Sequence, residues 1–236
     1  MFEQTEIDIF GFLLREPMTT LTDLITASIC FISFYKLTSQ TQQGYIQTLL
    51  RYYFLFMGLA TLNAAFFSHG ILYLVTPNWK VIGWSCSSIA ILLLELGSIE
   101  YGKSWLGSTR SRYLRILAFL QLAGFFGLML FPETRNFNMV KLNSTIGLAF
   151  FSLPIHALSW RKGGSEGSRT ICLAIVYGIL PAIIYNSEFT IHKYFNYHDI
   201  SHVLMSIFIA IMYFGVKRLI LDLKTFQINE PSTITT

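Results

Sequence analysis

Seven long apolar stretches set the fold class of this 236-residue chain before any other feature. A helix needs about 20 apolar residues to cross the hydrocarbon core of a bilayer, and charged residues make up only 13% of the sequence, against about 25% in soluble domains. We therefore predict an all-α polytopic membrane protein, a bundle of seven transmembrane helices over residues 19–37, 53–75, 81–101, 114–131, 140–159, 170–187 and 198–220.

The ends of the chain differ in composition from this apolar body. No internal repeat or second domain is visible, so residues 1–236 are predicted to form one transmembrane domain. Residues 1–17 form a short segment before the first stretch, predicted either to fray or to hold an interfacial helix over residues 3–15, with one apolar face made by Ile7, Phe10, Leu13 and Leu14. The tail, residues 222–236, is predicted to be disordered.

The basic residues predict the orientation of the chain. If the N-terminus lies outside, 12 of the 17 lysines and arginines fall on the inner side, as expected for cytoplasmic loops. We predict a multi-pass protein with a lumenal or periplasmic N-terminus and a cytoplasmic C-terminus, in a bacterial inner membrane or a eukaryotic endomembrane. The basic residues form no patch, which argues against nucleic acid as a partner.

Three histidines form the main functional clue. His69 ends the second apolar stretch, whereas His198 and His202 begin the seventh, four residues apart and therefore on one helix face. The predicted topology places all three at the outer end of the bundle. Three imidazoles with an open fourth position are typical of catalytic zinc, although such ligands suit several first-row metals. Alternatively, the histidines only bind backbone groups or lipid headgroups.

The other two histidines and the buried acids fit this site less simply. His156 is predicted at the inner end of the fifth helix, and His192 in the loop before the seventh. Asp23 either orients a ligand imidazole or acts as a general base, unless it only binds the first turn of its helix. Glu95 is the deepest acid and should face the bundle interior, where it either lines a cavity or binds Asn63 or Tyr185.

Seven helices with a histidine late in the second and His-x-x-x-His early in the seventh resemble the CREST superfamily of membrane metallohydrolases. Its members include alkaline ceramidases, progestin/adiponectin-type receptors and haemolysin III-like proteins. The resemblance implies zinc on His69, His198 and His202, and hydrolysis of an amide or ester in a lipid-accessible cavity. The chain departs from the pattern at Ala65, where the family usually has serine, and in the third helix, where Trp84–Ser88 contains no aspartate. It is therefore expected to be a divergent member.

Three classes of function follow from these residues. The first is a zinc-dependent intramembrane hydrolase of a lipid amide or ester, with a membrane lipid as substrate and with Asp23 and Ser68, the neighbour of His69, as candidate catalytic residues. The second is a non-enzymatic receptor or lipid-binding protein with a structural metal, which the two departures favour. The third is a transporter or proton relay that uses Glu95, Asp23 and the histidines. The sequence names neither the substrate nor the oligomeric state.

Overall fold

The computed structural model describes residues 5–39 and 44–229, with side chains up to residue 223. Within this part of the chain, seven helices are long and apolar enough to cross a membrane. The all-α fold class and the multi-pass membrane character are thus confirmed. The spans are α1 Pro17–Thr38, α2 Tyr45–Gly70, α3 Trp79–Tyr101, α4 Ser108–Met129, α5 Phe137–Gly163, α6 Glu166–Ser187 and α7 Tyr197–Leu223.

Three of the spans contain local irregularities. The α-helix Tyr45–Asn63 continues α2 into a π-helical segment, Ala64–Gly70. In α5 a second π-helical segment, Gly147–Ser152, separates Phe137–Ile146 from Leu153–Gly163. Gly178 separates the two parts of α6, Glu166–Tyr177 and Ile179–Ser187. Because π-helical turns are rare and are frequently found at functional sites, the first two segments mark candidate functional regions.

The second span begins earlier than predicted, at Tyr45 rather than near residue 53. Residues 45–52, which the predicted span leaves out, include the polar side chains of Gln47, Thr48 and Arg51. The structure places one of them, Gln47, inside the bundle, where its amide donates a 2.7 Å hydrogen bond to the carbonyl oxygen of Leu37 at the end of α1. The span ends earlier as well, since a short 3₁₀ turn, Leu72–Leu74, follows Gly70.

The bundle packs with α2 between α1 and α3, and with α7 against both α1 and α6. Its main apolar core comes from these five helices and includes Cys30, Leu50, Phe54, Leu94, Ile171 and Met212. A Cβ atom on Gly167 would lie 2.3 Å from the backbone nitrogen of Leu219. Glycine is therefore needed where α6 and α7 cross closely, as small residues often are between membrane helices.

The N-terminal segment forms a β-hairpin, so the predicted interfacial helix over residues 3–15 is wrong for its described part. Strands β1 (Glu6–Ile9) and β2 (Phe12–Arg15) pair antiparallel, with Glu6 opposite Arg15. Phe10 and Gly11 connect them with φ values of 54° and 84°. Positive φ at both central residues is the hairpin-turn geometry that matches strand twist. The prediction assumed a helical period for apolar residues that the structure divides between two short strands.

The C-terminal helix continues through Asn229, so the predicted disorder is wrong for residues 222–229, and residues 230–236 lie outside the described chain. Asp222 holds the first of these turns against α6. Its carboxylate accepts hydrogen bonds from the Ser165 hydroxyl at 2.8 Å and from the Gly167 backbone N–H at 3.3 Å. Although the segment looks like a polar tail in the sequence, Asp222 therefore makes a tertiary contact with the rest of the bundle.

Candidate metal centre

Asp23, His69 and His202 meet at the end of the bundle where α1 and α7 begin and α2 ends. Among the described residues, they form a group whose candidate ligand atoms all lie within 4.8 Å of one another. Asp23 lies between the two rings: its Oδ1 is 3.2 Å from His202 Nδ1 and its Oδ2 is 3.9 Å from His69 Nε2. The Asp23 side chain is only 4% exposed. This buried cluster could hold a metal ion.

A polar face of α1 positions Asp23 against α7. Threonines precede and follow Asp23 at helical spacing, and each contacts a polar residue of α7. Thr19 donates to the Asp199 carboxylate at 2.7 Å, and Thr26 lies 2.6 Å from the Ser206 hydroxyl. These contacts fix the rotation of α1, so that Asp23, which occupies the same face, points at His202.

Reciprocal capping sets the start of α7. The side chain of Asn196 accepts from the His198 backbone N–H at 2.8 Å, and the Asp199 carboxylate accepts from the Asn196 N–H at 2.7 Å. This is the capping-box arrangement, which pairs backbone donors that a helix N-terminus leaves free. Asp199 is thus a first-turn group, and it fixes the turn that carries His198 and His202.

His198 lies beside the cluster and outside the closely spaced group. Its ring centroid is 5.8 Å from that of His69, and it packs against Tyr197 at 4.2 Å and Tyr185 at 5.3 Å. The three predicted histidines therefore share one end of the bundle. Asp23, rather than His198, supplies the third donor of the tight group. The assignment of His198 as a metal ligand stays a prediction.

Glu16 completes the site and was missed by the sequence analysis. Its carboxylate oxygen Oε2 is hydrogen-bonded to Nδ1 of His69, which leaves Nε2 of that ring facing Asp23. A carboxylate on the outer nitrogen of a ligand histidine fixes the ring and its tautomer in many metal sites. The signal in the sequence was an acid directly before Pro17, the first residue of a helix that carries Asp23.

The donor set fits a first-row metal. Two imidazoles and one carboxylate are a known ligand set of catalytic zinc, and bonds of about 2.1 Å place tetrahedral ligands about 3.4 Å apart. The 3.2 and 3.9 Å separations around Asp23 lie close to that spacing. Asp23 Oδ2 is buried and has no hydrogen-bond partner among the described residues. A buried carboxylate oxygen without a donor is costly, and a cation would satisfy it.

The remaining predicted residues lie outside the tight group. Ser68 is half-buried in the π-helical segment before His69, and no described hydrogen bond joins it to the cluster. The Ala65 carbonyl accepts from the Thr20 hydroxyl at 3.3 Å. Of the two remaining histidines, His156 is fully buried between Ser98 and Ser168, whereas His192 lies in the loop before α7.

The fold and the site together define a seven-helix membrane protein with a buried Asp–His–His cluster at one end. The chain belongs to a family of unknown function, DUF6962, which matches residues 18–221. The match includes Asp23, His69, His198 and His202, whereas Glu16 and the hairpin precede it. No curated protein and no solved structure matches the chain.

Proposed function

We propose that the protein is a zinc-dependent intramembrane hydrolase that cleaves a lipid amide or ester. One observation carries the proposal: two histidines from distant helices and one buried carboxylate present ligand atoms that all lie within 4.8 Å of one another. Soluble zinc hydrolases use the same His–His–carboxylate set. The resemblance to ceramidase-like membrane proteins, expected from the histidine spacing, supports the same chemistry.

Zinc in such a site polarises a carbonyl oxygen and makes water reactive at neutral pH. The side chains would divide the remaining work. His69 and His202 hold the ion, and Glu16 keeps the His69 ring oriented through Nδ1. Asp23 would give one carboxylate oxygen to the ion, and its other oxygen, Oδ2, which has no hydrogen-bond partner among the described residues, would take a proton as water adds to the carbonyl carbon. That proton then passes to the departing nitrogen or oxygen, so that a fatty acid and an amine or alcohol leave.

The surroundings of the cluster support a lipid substrate. The His69 and His202 side chains are 14% and 22% exposed, so the site is open at one edge. Exposed apolar side chains follow the same helices inward, including Leu21 and Ile25 on α1 and Val203 and Ile207 on α7. An acyl chain lying along these helices would bring its carbonyl group to the polar end. In the proposed orientation this end faces the lumen or periplasm.

Elemental analysis of detergent-purified protein tests the metal. We expect about one zinc per chain in the wild type and a clear loss in His202→Ala. His192→Ala is the matched control, because His192 lies in a loop outside the cluster, and it should retain the ion. Zinc at wild-type level in His202→Ala would contradict the proposed site. Release of fatty acid from a panel of ceramides, acyl amides and esters then tests catalysis, which His69→Ala should abolish.

A second candidate function is a lipid receptor in which the ion only clamps the helices. The position of Asp23 favours it, because both carboxylate oxygens face imidazoles and a carboxylate used as a ligand is not a free base. Such a protein would bind zinc and lose stability in chelator. It would hydrolyse no member of the lipid panel.

A further inference from the structure

A second polar cluster lies inside the bundle, on helices that the proposed metal centre does not use. Glu95, on α3, is 1% exposed and takes part in none of the ion pairs among the described residues. Its one described hydrogen bond comes from the side-chain amide of Gln121 on α4, at 2.9 Å. The predicted partners, Asn63 and Tyr185, lie elsewhere: Asn63 accepts from Gly83 N–H, and Tyr185 packs on His198. An ionised carboxyl group inside a membrane span requires a stronger partner than one neutral amide.

Three oxygen atoms converge on the same amide nitrogen. Gln121 Nε2 lies 2.9 Å from Glu95 Oε1, 3.0 Å from the backbone oxygen of Asn143 and 3.1 Å from Asn143 Oδ1. An amide group has two hydrogens, so one of the three oxygens has no hydrogen of its own to accept from this group. These oxygens belong to α3 and α5, and the Gln121 side chain of α4 lies between them.

The same cluster leaves other polar atoms without partners. Gln121 Oε1 and Asn143 Nδ2 are both buried, and neither has a hydrogen-bond partner among the described residues. Asn143 is itself 5% exposed. Unpaired buried donors and acceptors are uncommon and costly. In this case they accompany a buried carboxyl group, so the cluster holds more polar atoms than its own hydrogen bonds satisfy.

The backbone of α5 is adapted to this cluster. The N–H of Gly147 is shared between the carbonyl oxygens of Asn143 and Ser144, where the α-helix changes to the π-helical segment. A Cβ atom at Gly147 would lie 2.4 Å from Glu95 Oε1. The glycine and the π-helical segment together leave room for the Glu95 carboxyl group. They also leave the Asn143 carbonyl oxygen partly available to another partner. Membrane transporters use such irregular helices to offer backbone carbonyls to Na⁺.

We propose that Glu95, Gln121 and Asn143 form a binding site for a monovalent alkali cation, with Na⁺ as the ion that we would test. The ion would lie among these three oxygens of Glu95 and Asn143, with the Gln121 side chain drawn back and its amide turned so that Oε1 faces the ion. The donors are then a carboxylate oxygen, two amide oxygens and one backbone carbonyl. Ligand sets made only of oxygen select hard cations. A single charge balances one carboxylate, whereas a divalent ion would leave a net charge inside the membrane.

Sodium-dependent stability tests the site in the full-length purified chain. We expect the Tm to rise and saturate as NaCl replaces choline chloride at constant ionic strength, because a ligand of the folded state stabilises it. Glu95→Gln should lose this dependence. Glu100→Gln should keep it, since Glu100 lies on the same helix but pairs with Arg115 at 2.8 Å. Zinc content and lipid hydrolysis are separate readouts, so this proposal can fail without affecting the proposed function.

Binding of ²²Na⁺ to the wild type gives a direct measurement that does not depend on how any variant folds. About one ion per chain, displaced by excess NaCl and reduced at least tenfold in Asn143→Ala, would support the site. No saturable binding to the wild type would overturn it. A Tm that is the same in NaCl and choline chloride would overturn it as well, because sodium would then not stabilise the folded state.

Discussion

Glu16 binds Nδ1 of His69 from a left-handed backbone conformation, with φ of 44° and ψ of 56°. Residues other than glycine, asparagine and aspartate rarely adopt this conformation. Such strain, about 1–3 kcal/mol, persists where the surrounding structure enforces it and is concentrated at functional sites. The hairpin ends at Arg15 and Pro17 begins α1. Glu16 is the single residue between them, and this strained residue contacts His69.

Replacement of Glu16 by glutamine should weaken zinc binding without unfolding the protein. Loss of a carboxylate partner of a ligand histidine typically lowers metal affinity 10- to 100-fold. Competition with a chromophoric chelator measures the change. Glu6→Gln is the control, because Glu6 pairs with Arg15 in the same hairpin and does not contact the cluster. Equal affinity in Glu16→Gln and the wild type would show that the hydrogen bond has no role in metal binding.

Replacement of Asp23 by asparagine should remove most of the bound zinc. The change preserves the shape of the side chain but removes the charge that lies between the two imidazoles. Metal content per chain measures the outcome. Asp222→Asn serves as a control at the opposite end of the bundle, where Asp222 binds Ser165. Should Asp23→Asn keep the full zinc complement, the histidines alone would have to hold the ion.

Removal of the metal should lower the stability of the wild type. A ligand present at about 100 times its Kd stabilises the folded state by about 2.7 kcal/mol, so a strong chelator should lower the Tm by several degrees. His69→Ala, already without the ion, should unfold at the same temperature with and without chelator. A Tm of the wild type that chelator leaves unchanged would argue against a bound metal.

Replacement of Gly147 by alanine should destabilise the bundle by about 1–3 kcal/mol, the usual cost of overpacking. The new methyl group would lie 2.3 Å from Ile91 Cγ2 and 2.4 Å from Glu95 Oε1. Gly124→Ala on α4 is the control, since nothing lies within 4 Å of its Cβ position and alanine is favoured over glycine in helices by about 1 kcal/mol. Thermal unfolding in detergent separates the two, and equal Tm values would contradict the close packing at Gly147.

The seven spans could be predicted from the sequence because lipid exposure requires long apolar helices whatever their packing. The hairpin could not, because Phe10 occupies a turn position that usually belongs to asparagine or glycine. The early start of α2 was missed for a related reason: Gln47 is polar by composition but buried through one tertiary hydrogen bond. Sequence patterns within a segment predict that a helix is present, whereas contacts between helices decide where each helix begins and ends.

The candidate metal centre was predictable in part. The spacing of His198 and His202 indicates one helix face, and the alternation of helix directions brings His69 to the same end. The rotation of α1 is set by contacts such as Thr19 with Asp199, which no pattern within α1 reveals. Asp23 was therefore left between two interpretations. Glu16 was missed because its role depends on the hairpin.

Glu16 connects the hairpin to the candidate metal centre. The backbone N–H of Glu16 donates to Thr5 at the base of the hairpin, and its carbonyl accepts from Thr20 in α1, while its side chain holds His69. Phe10, at the other tip of the hairpin, is fully exposed. A displacement of this apolar tip would therefore move Glu16, and with it the carboxylate that orients the His69 imidazole.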